Sequence, residues 1–365
     1  MDTTGIDPFT VCECSDCGTE LTIPFQLEHL QLEYNIDRQS FIDIYNGFDQ
    51  SSNSTVSIML LDTEAPSYEK LNDIAKEEAA ELSTLKHQNV CPILDFYEIL
   101  GNFCVTEPLM DGYSLDAYSP EEQGLLDIDS VMEIIQAAAL GMAVSHHKEF
   151  VHHNLCTKNI HIDGRGNVRV KGFFSSRFTY RSDQLFSKED AVIKRDASVS
   201  PYFISPEKAE SGIEDKRGDI FSFGVIMYYM LTGKYPFSGK NEIETVYARV
   251  KKKHKEGTEI FSADASRLAT PDTIDYVPPS TPSQIRPEVP ENISQLIMDM
   301  LSYLPVKRPK FSEILAIFNM RKAEKDKEAG VVTAQKVMVT TTTRAIPKMT
   351  PLSTTGKKKK KKWKF

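Results

Sequence analysis

No stretch of this sequence approaches the roughly 18 consecutive apolar residues that span a bilayer, and the first thirty residues hold no apolar signal-peptide core. Cysteine is sparse. Six residues, at 12, 14, 17, 91, 104 and 156, make no disulfide framework for 365 residues, and only the first three cluster. A reducing, cytoplasmic setting is the expectation. There is no internal repeat, and no acidic residue from Lys336 to Phe365, where ten basic ones lie. The remaining 335 residues therefore carry a net charge of -19, against -9 for the whole. So acidic a body excludes a nucleic-acid binder. What is present suffices for a core. At 40% hydrophobic and 26% charged the chain is not broadly disordered, and its length suggests a two-lobed globular body.

The first 32 residues read as a cysteine-containing preface. From Glu33 to Asp62 the pattern is strand-like, with the polar turn QSSNST between FIDIYNGF and VSIMLL marking a hairpin. Tyr68 to Lys86 reads as an amphipathic helix with Leu71, Ile74, Ala75, Ala79, Leu82 and Leu85 at helical spacing. Two more strands, VCPILDFYEI and NFCVTEPL, complete a lobe of five strands and one helix over residues 33–108.

Residues 109–322 are mainly helical. Ser130 to His147 is apolar on one face, and IHIDGRGNVRVKGF is a compact hairpin. Ser175 to Ser200 is a long polar stretch without periodicity, whereas Asp219 to Thr232 is apolar nearly all round and predicts a buried helix. Gly257 to Pro287, rich in Thr, Ser and Pro, reads as a surface insert, and Ile293 to Tyr303 as a further helix. Residues 323–365 read as a disordered Thr/Lys-rich basic tail.

Six landmarks in order give this α+β arrangement a resemblance. His152-His153-Asn154-Leu155-Cys156-Thr157-Lys158-Asn159 stands where protein kinases have His-Arg-Asp-Leu-x-x-x-Asn, and Gly172-Phe173-Phe174 stands for Asp-Phe-Gly. Ser205-Pro206-Glu207 stands for Ala-Pro-Glu. Asp219-Ile220-Phe221-Ser222-Phe223-Gly224, then LTGKYPF, and Arg308-Pro309 complete the set. Over residues 33–322 the chain resembles the protein kinase superfamily, in the flavour of the eukaryotic-type serine/threonine kinases of bacteria. The resemblance implies a bilobal kinase-like fold, an ion pair between Glu207 and Arg308, and a spine of Leu82, His152, Phe173 and Asp219.

Phosphoryl transfer needs phosphates positioned, metal ions, and a carboxylate to orient the hydroxyl. The positions that the resemblance assigns to these tasks are degenerate. In Ile36-Asp37-Arg38-Gln39-Ser40-Phe41-Ile42-Asp43-Ile44 the three glycine places hold Asp37, Gln39 and Ile42, opposing phosphates by charge and volume. Arg38 reads as an exposed hairpin arginine. Met59 replaces the phosphate lysine, which leaves Glu78 on the helix without its partner and, on this reading, on a solvated face. Asn154 replaces the catalytic aspartate and cannot accept a proton at neutral pH. Cys156 replaces a phosphate-steadying lysine, and His153 an arginine. Asn159, the secondary metal ligand, is retained, but the principal one is Gly172, with no side chain.

Losing one preorganised electrostatic group commonly costs about a hundredfold or more in rate, so little specific catalysis is expected. The implied adenine pocket would be lined by Ile44, Ser57 and His161, gated by Thr106, with Glu107-Pro108-Leu109 as its hinge. His161 reads as packing in a collapsed slot, while the small Thr106 leaves room for a cavity. ATP with magnesium is doubtful as a cofactor.

At the ends, Cys12, Cys14 and Cys17 suggest a zinc knuckle, with His29 as candidate fourth ligand, or the remnant of a zinc ribbon. Lys357 to Lys364, with Trp363 and Phe365, suits an anionic membrane surface on its inner side, or is a solvated basic tail. Ser175, Ser176, Thr179, Ser198 and Ser200 are candidate phosphorylation acceptors. The expected function is that of a catalytically impaired pseudokinase, a signalling scaffold or binding module for protein partners. The alternative is a serine/threonine kinase with residual ATP-dependent activity.

Overall fold

The structure is a computed structural model that describes residues 11–13, 20–186, 200–237 and 279–328. A hairpin of β1 (Val11–Glu13) and β2 (Glu20–Thr22) comes first. There follow β3 (Phe25–Leu27), β4 (Leu30–Gln39), β5 (Ile42–Asp49), β6 (Ser54–Leu61), α1 (Tyr68–Leu82), β7 (Asp95–Ile99) and β8 (Asn102–Pro108). These strands make one antiparallel sheet, ordered β3-β4-β5-β6-β8-β7. Five strands are expected from the sequence, and the sheet has six. The sixth is β3, in the segment expected as a preface, because Phe25 and Leu27 face Leu32 and Leu30 across a tight turn at Glu28. Its Leu27 closes a small second core with Leu30, Leu32, Val56, Ile58, Ile99 and Cys104.

The polar turn between β5 and β6 is folded by one carboxylate. Asp49 accepts from the Ser51 N–H at 2.8 Å and from the Ser51 and Ser52 hydroxyls at 2.7 Å each. Helix α1 stops short of the expected Lys86. Ser83 and Thr84 turn their hydroxyls back onto the Ala80 and Glu81 carbonyls, both at 2.7 Å, and end the helix there.

The second lobe contains β9 (Tyr113–Ser114), α2 (Pro120–Gln123), α3 (Ile128–His147), β10 (Ile160–Ile162), β11 (Val168–Val170), α4 (Phe173–Asp183), α5 (Pro206–Ser211), α6 (Lys216–Thr232), α7 (Pro282–Ile285), α8 (Glu291–Met300) and α9 (Phe311–Glu328). Helix α3 is long and apolar enough to span a membrane by length and composition, but here Val131, Ile134, Ile135, Ala138 and Met142 lie in the protein core. Every residue of α6 from Gly218 to Thr232 is buried, as its unbroken apolar character predicts.

Three elements depart from the sequence reading. Helix α4 lies in the stretch read as lacking periodicity. The end of the Thr/Ser/Pro-rich segment folds into α7, started by a capping box of Thr281 and Gln284. Helix α9 runs on to Glu328, past the boundary expected at 322; the rest of the tail lies outside the described residues.

One core runs through both lobes, from Ile44 and Met59 through Leu82, Val105 and Phe173 to Phe221 and Ile297. The Glu207–Arg308 pair is formed as expected, two parallel bonds of 2.6 and 2.8 Å. The Arg308 side chain is fully buried. It also donates to the Ser302 and Arg217 carbonyls and lies over the Phe221 ring. A buried guanidinium is tolerable only when its donors are matched in this way, since breaking such a pair costs about 3–5 kcal/mol.

Candidate functional site

Between β10 and the end of α3 the chain forms a loop around one buried carboxylate. Asp219 accepts from the His152 and His153 N–H groups at 2.7 and 3.0 Å, and from His146 Nε2 at 2.9 Å. Burial would raise its pKa, yet these donors and the histidines around it hold it below the usual range. His152, fully buried, donates from Nε2 to the Lys171 carbonyl at 3.0 Å and packs on Phe173, ring centroids 4.6 Å apart. With Leu82 also buried, the expected spine residues all lie in the interior.

The loop is held, and the residues at its aligned positions are engaged with protein groups. The Cys156 thiol is pushed up to about 11 by burial, so it offers neither a cation nor a thiolate nucleophile at neutral pH. Asn159 donates its amide to the Asn154 carbonyl at 2.8 Å. Its Oδ1 lies where a side chain at 172 would begin, because a Cβ on Gly172 would sit 2.9 Å from that oxygen. Gly172 has φ +81° and caps the start of α4. A magnesium ion needs several oxygen ligands with carboxylates among them. Asn159 and Gly172 supply no carboxylate, so these residues do not fit that metal.

Most residues of the implied adenine pocket are buried. Ile44, Met59, Thr106 and His161 are all less than a tenth exposed, while Ser57 is half-buried and Leu109 exposed. Met59 joins the core instead of presenting a cation. Thr106 turns its hydroxyl to the Asp95 carbonyl at 3.2 Å, and His161 donates from Nε2 to the Asp111 carbonyl at 2.7 Å. Burial lowers the His161 pKa, which suits a neutral ring in an apolar floor. The hinge residue Glu107 is buried beside Cys91, whose Sγ is 3.7 Å away. Burial pushes its carboxyl up to about 7, partly offset by the charge of Lys171. Burial likewise pushes the Lys171 amine down, against the pull of Asp116 and Glu107.

Above the cleft, the stretch aligned with the glycine loop is a tight hairpin. Gln39 pairs with Ile42, and Ser40 takes a positive φ in the two-residue turn. Phe41 is tucked under, its ring 5.5 Å from that of Phe186. Arg38 is partly exposed, as expected, but bridges Asp43 and Asp62. Asp37 reaches across to Lys158, 2.7 Å away.

The largest correction concerns Glu78. Expected on a solvated face, it is fully buried. Its partners come from α4, not from β6. Arg177 bonds it through Nε and, at 3.1 Å, Nη2; Arg181 Nη1 adds a third bond at 3.0 Å. The same arginines reach Glu81 at 3.1 Å and Glu77 at 2.7 Å. Arg177 also covers the Phe150 ring, and Phe174 and Phe178 of α4 are buried. One turn on, Tyr180 stacks on His153, rings parallel and 3.6 Å apart, and its hydroxyl accepts from the Glu214 N–H. Glu214 is in turn held by Lys208 at 2.8 Å and Ser205 at 3.0 Å.

Helix α4 was not read from the sequence, although Phe174 and Phe178, and Arg177 and Arg181, recur at its four-residue spacing. Two candidate acceptors on it, Ser175 and Ser176, are buried; Thr179 and Ser200 are half-buried, and Ser198 lies outside the described residues. Of the cysteines proposed for zinc, Cys12 falls on β1, and Cys14 and Cys17 lie outside the described residues. His29 packs edge-on to Tyr97, with Nε2 buried and no hydrogen-bond partner among the described residues.

Residues 36–317 match the family model described as the protein kinase domain. The chain is 27% identical over 168 residues to the serine/threonine-protein kinase PrkC of Bacillus subtilis, which covers 46% of this chain and 25% of that one. It is 29% identical over 201 residues to the serine/threonine-protein kinase pkn2 of Myxococcus xanthus, 54% of this chain and 23% of the relative. It is also 22% identical over 336 residues to the serine/threonine-protein kinase STY17 of Arabidopsis thaliana, 88% of this chain and 51% of the relative. The chain thus spans about a quarter of the bacterial relatives' length and about half of the plant one's.

Two substitutions check this geometry. Restoring the missing carboxylate with Gly172→Asp is expected to destabilise the fold by about 1–2 kcal/mol in urea unfolding, since aspartate tolerates the positive φ but meets Asn159. Magnesium should not recover the loss; recovery would show that Asn159 moves aside. Glu107→Gln tests the hinge. Between pH 4.5 and about 7 the unfolded chain has lost the Glu107 proton and the folded chain still holds it, so wild-type stability falls through that window as pH rises. The variant lacks this dependence and should be more stable above pH 7, by at most about 3 kcal/mol. A difference that does not change with pH would contradict the assignment.

Proposed function

The chain belongs to the protein kinase superfamily, and from that premise we propose that it is a pseudokinase, a binding module held in one posture by its own side chains instead of by nucleotide and metal. The observation that carries this reading is the buried Glu78, whose cationic partners are Arg177 and Arg181 of α4. In a catalytic domain that glutamate orients a lysine toward phosphates. Here Met59 fills the lysine position and the arginines tie α1 to the segment after Gly172. The buried pocket residues and the displaced metal position support the same reading. The module presents its surface to protein partners in a signalling assembly, and the Lys357–Lys364 run adds attraction to anionic surfaces, about 1 kcal/mol per lysine.

A second reading, a serine/threonine kinase with residual activity, draws on the retained Asn159 and on the names of the relatives. Thermal unfolding with and without millimolar ATP, each with and without magnesium, separates the two. Ligand at a hundred times its Kd would stabilise the fold by about 2.7 kcal/mol, a shift of several degrees. The pseudokinase reading expects no shift under any of the four conditions. A magnesium-dependent shift accompanied by phosphate transfer would establish the kinase instead.

A further inference from the structure

The hairpin over the cleft carries its own anion. Asp37 shares the register row of β4 and β5 with Ile44, which faces Met59 on β6, so it stands on the sheet face turned to the interior of the cleft. Its Oδ2 is 2.7 Å from Lys158 Nζ and accepts from Gln39 Nε2 at 3.1 Å. Lys158 is the residue before Asn159 in the loop of the lower lobe, and among the described residues Asp37 is the carboxylate it pairs with. A second lysine, Lys171, lies close enough for the two to repel, with Glu107 and Asp116 as its acidic neighbours. The lower lobe therefore brings Lys158 to the cleft with Lys171 near it, and the upper wall covers Lys158 with a carboxylate.

The pair is weakly held. The Lys158 and Asp37 side chains are 44% and 31% exposed, and ion pairs that open to solvent are readily exchanged. A phosphate-bearing ligand approaching Lys158 meets Asp37 already on it, and a polyanion is repelled by that charge as well.

Resting on the nucleotide-independent reading above, we propose that Asp37 is a built-in competitor for phosphate-bearing ligands: it occupies Lys158 across the cleft and so weakens their binding there. Asp37 then determines ligand affinity through charge, apart from the loss of metal and base groups. The competition is between carboxylate and phosphate, so it is indifferent to whether the phosphates belong to a nucleotide.

The test is the thermal midpoint of the full chain titrated with sodium tripolyphosphate and, separately, with ATP, at low salt and without magnesium. The variants share the basic tail, so ligand bound there contributes equally to each and cancels in the comparison. Asp37→Asn is expected to bind both ligands about tenfold more tightly, read as a thermal shift at ligand concentrations where the unaltered chain shows none, and Asp37→Asn with Lys158→Met to abolish that gain. Asp37→Ser should repeat the result if the asparagine variant folds poorly. An unchanged Kd in the folded variants, a gain that survives Lys158→Met, or a gain confined to ATP would each overturn the proposal. Tight magnesium-ATP binding by the unaltered chain would instead sink the nucleotide-independent reading, and the comparison between variants would still stand.

Discussion

A fully buried carboxylate has to be compensated, and the structure depends on how Glu78 meets that requirement. The strand opposite offers only Met59, so the positive charge comes from the segment after Gly172. Bringing two arginines to one carboxylate requires them on one face, four residues apart, which a helix provides. The same helix then places Phe174 and Phe178 in the core and Tyr180 against His153. The posture of α1, the form of α4 and the covering of the loop at Asn154 are thus one coupled arrangement.

Two other buried charges set the lower lobe in the same way. Asp219 has three matched partners, the His152 and His153 N–H groups and His146, and Arg308 has Glu207 together with backbone carbonyls. Against these, on the pseudokinase reading, each group that would do chemistry gives way to something that fills its place. Asn159 reaches over Gly172, Met59 enters the core, Cys156 stays a thiol, and Asp37 stands on Lys158. Scaffold positions and chemical positions lie in the same short segments, sometimes two positions apart, as His152 and Asn154 do. What separates them is whether a residue's partners are buried protein groups or would have been ligand.

The order of lobes, the α6 helix, the IHIDGRGNVRVKGF hairpin and the Glu207–Arg308 pair were legible because each follows from local patterning or from one ordered set of landmarks. Glu78 was half legible. It falls between Ile74 and Leu82 at helical spacing, on the stripe that includes Leu71 and Ala75, and its position alone argued for burial. The absent lysine obscured this, since a partner from a different segment has no sequence signal of its own. Helix α4 was hidden by its serines, threonine and aromatics, which rank below the best helix formers without forbidding a helix whose apolar pair docks. Strand β3 was missed because three residues are too few for a period to register. The Asp37–Lys158 contact, 121 positions apart, is set by the closure of the two lobes and by nothing nearby in the chain.

The central claim is that α1 and α4 are coupled through one buried charge. A double-mutant cycle in urea unfolding, with Glu78→Gln, Arg177→Met and both together, measures it directly. If Glu78 draws its compensation from α4, the two substitutions should be non-additive, with a coupling of about 1–2 kcal/mol, since removing either partner costs the other two charge-assisted bonds and leaves it only one, Glu78 to Arg181 or Arg177 to Glu81. Additive losses, with a coupling within about 0.5 kcal/mol of zero, would mean that the arginines do not hold Glu78, and the account of a self-locked domain would fail.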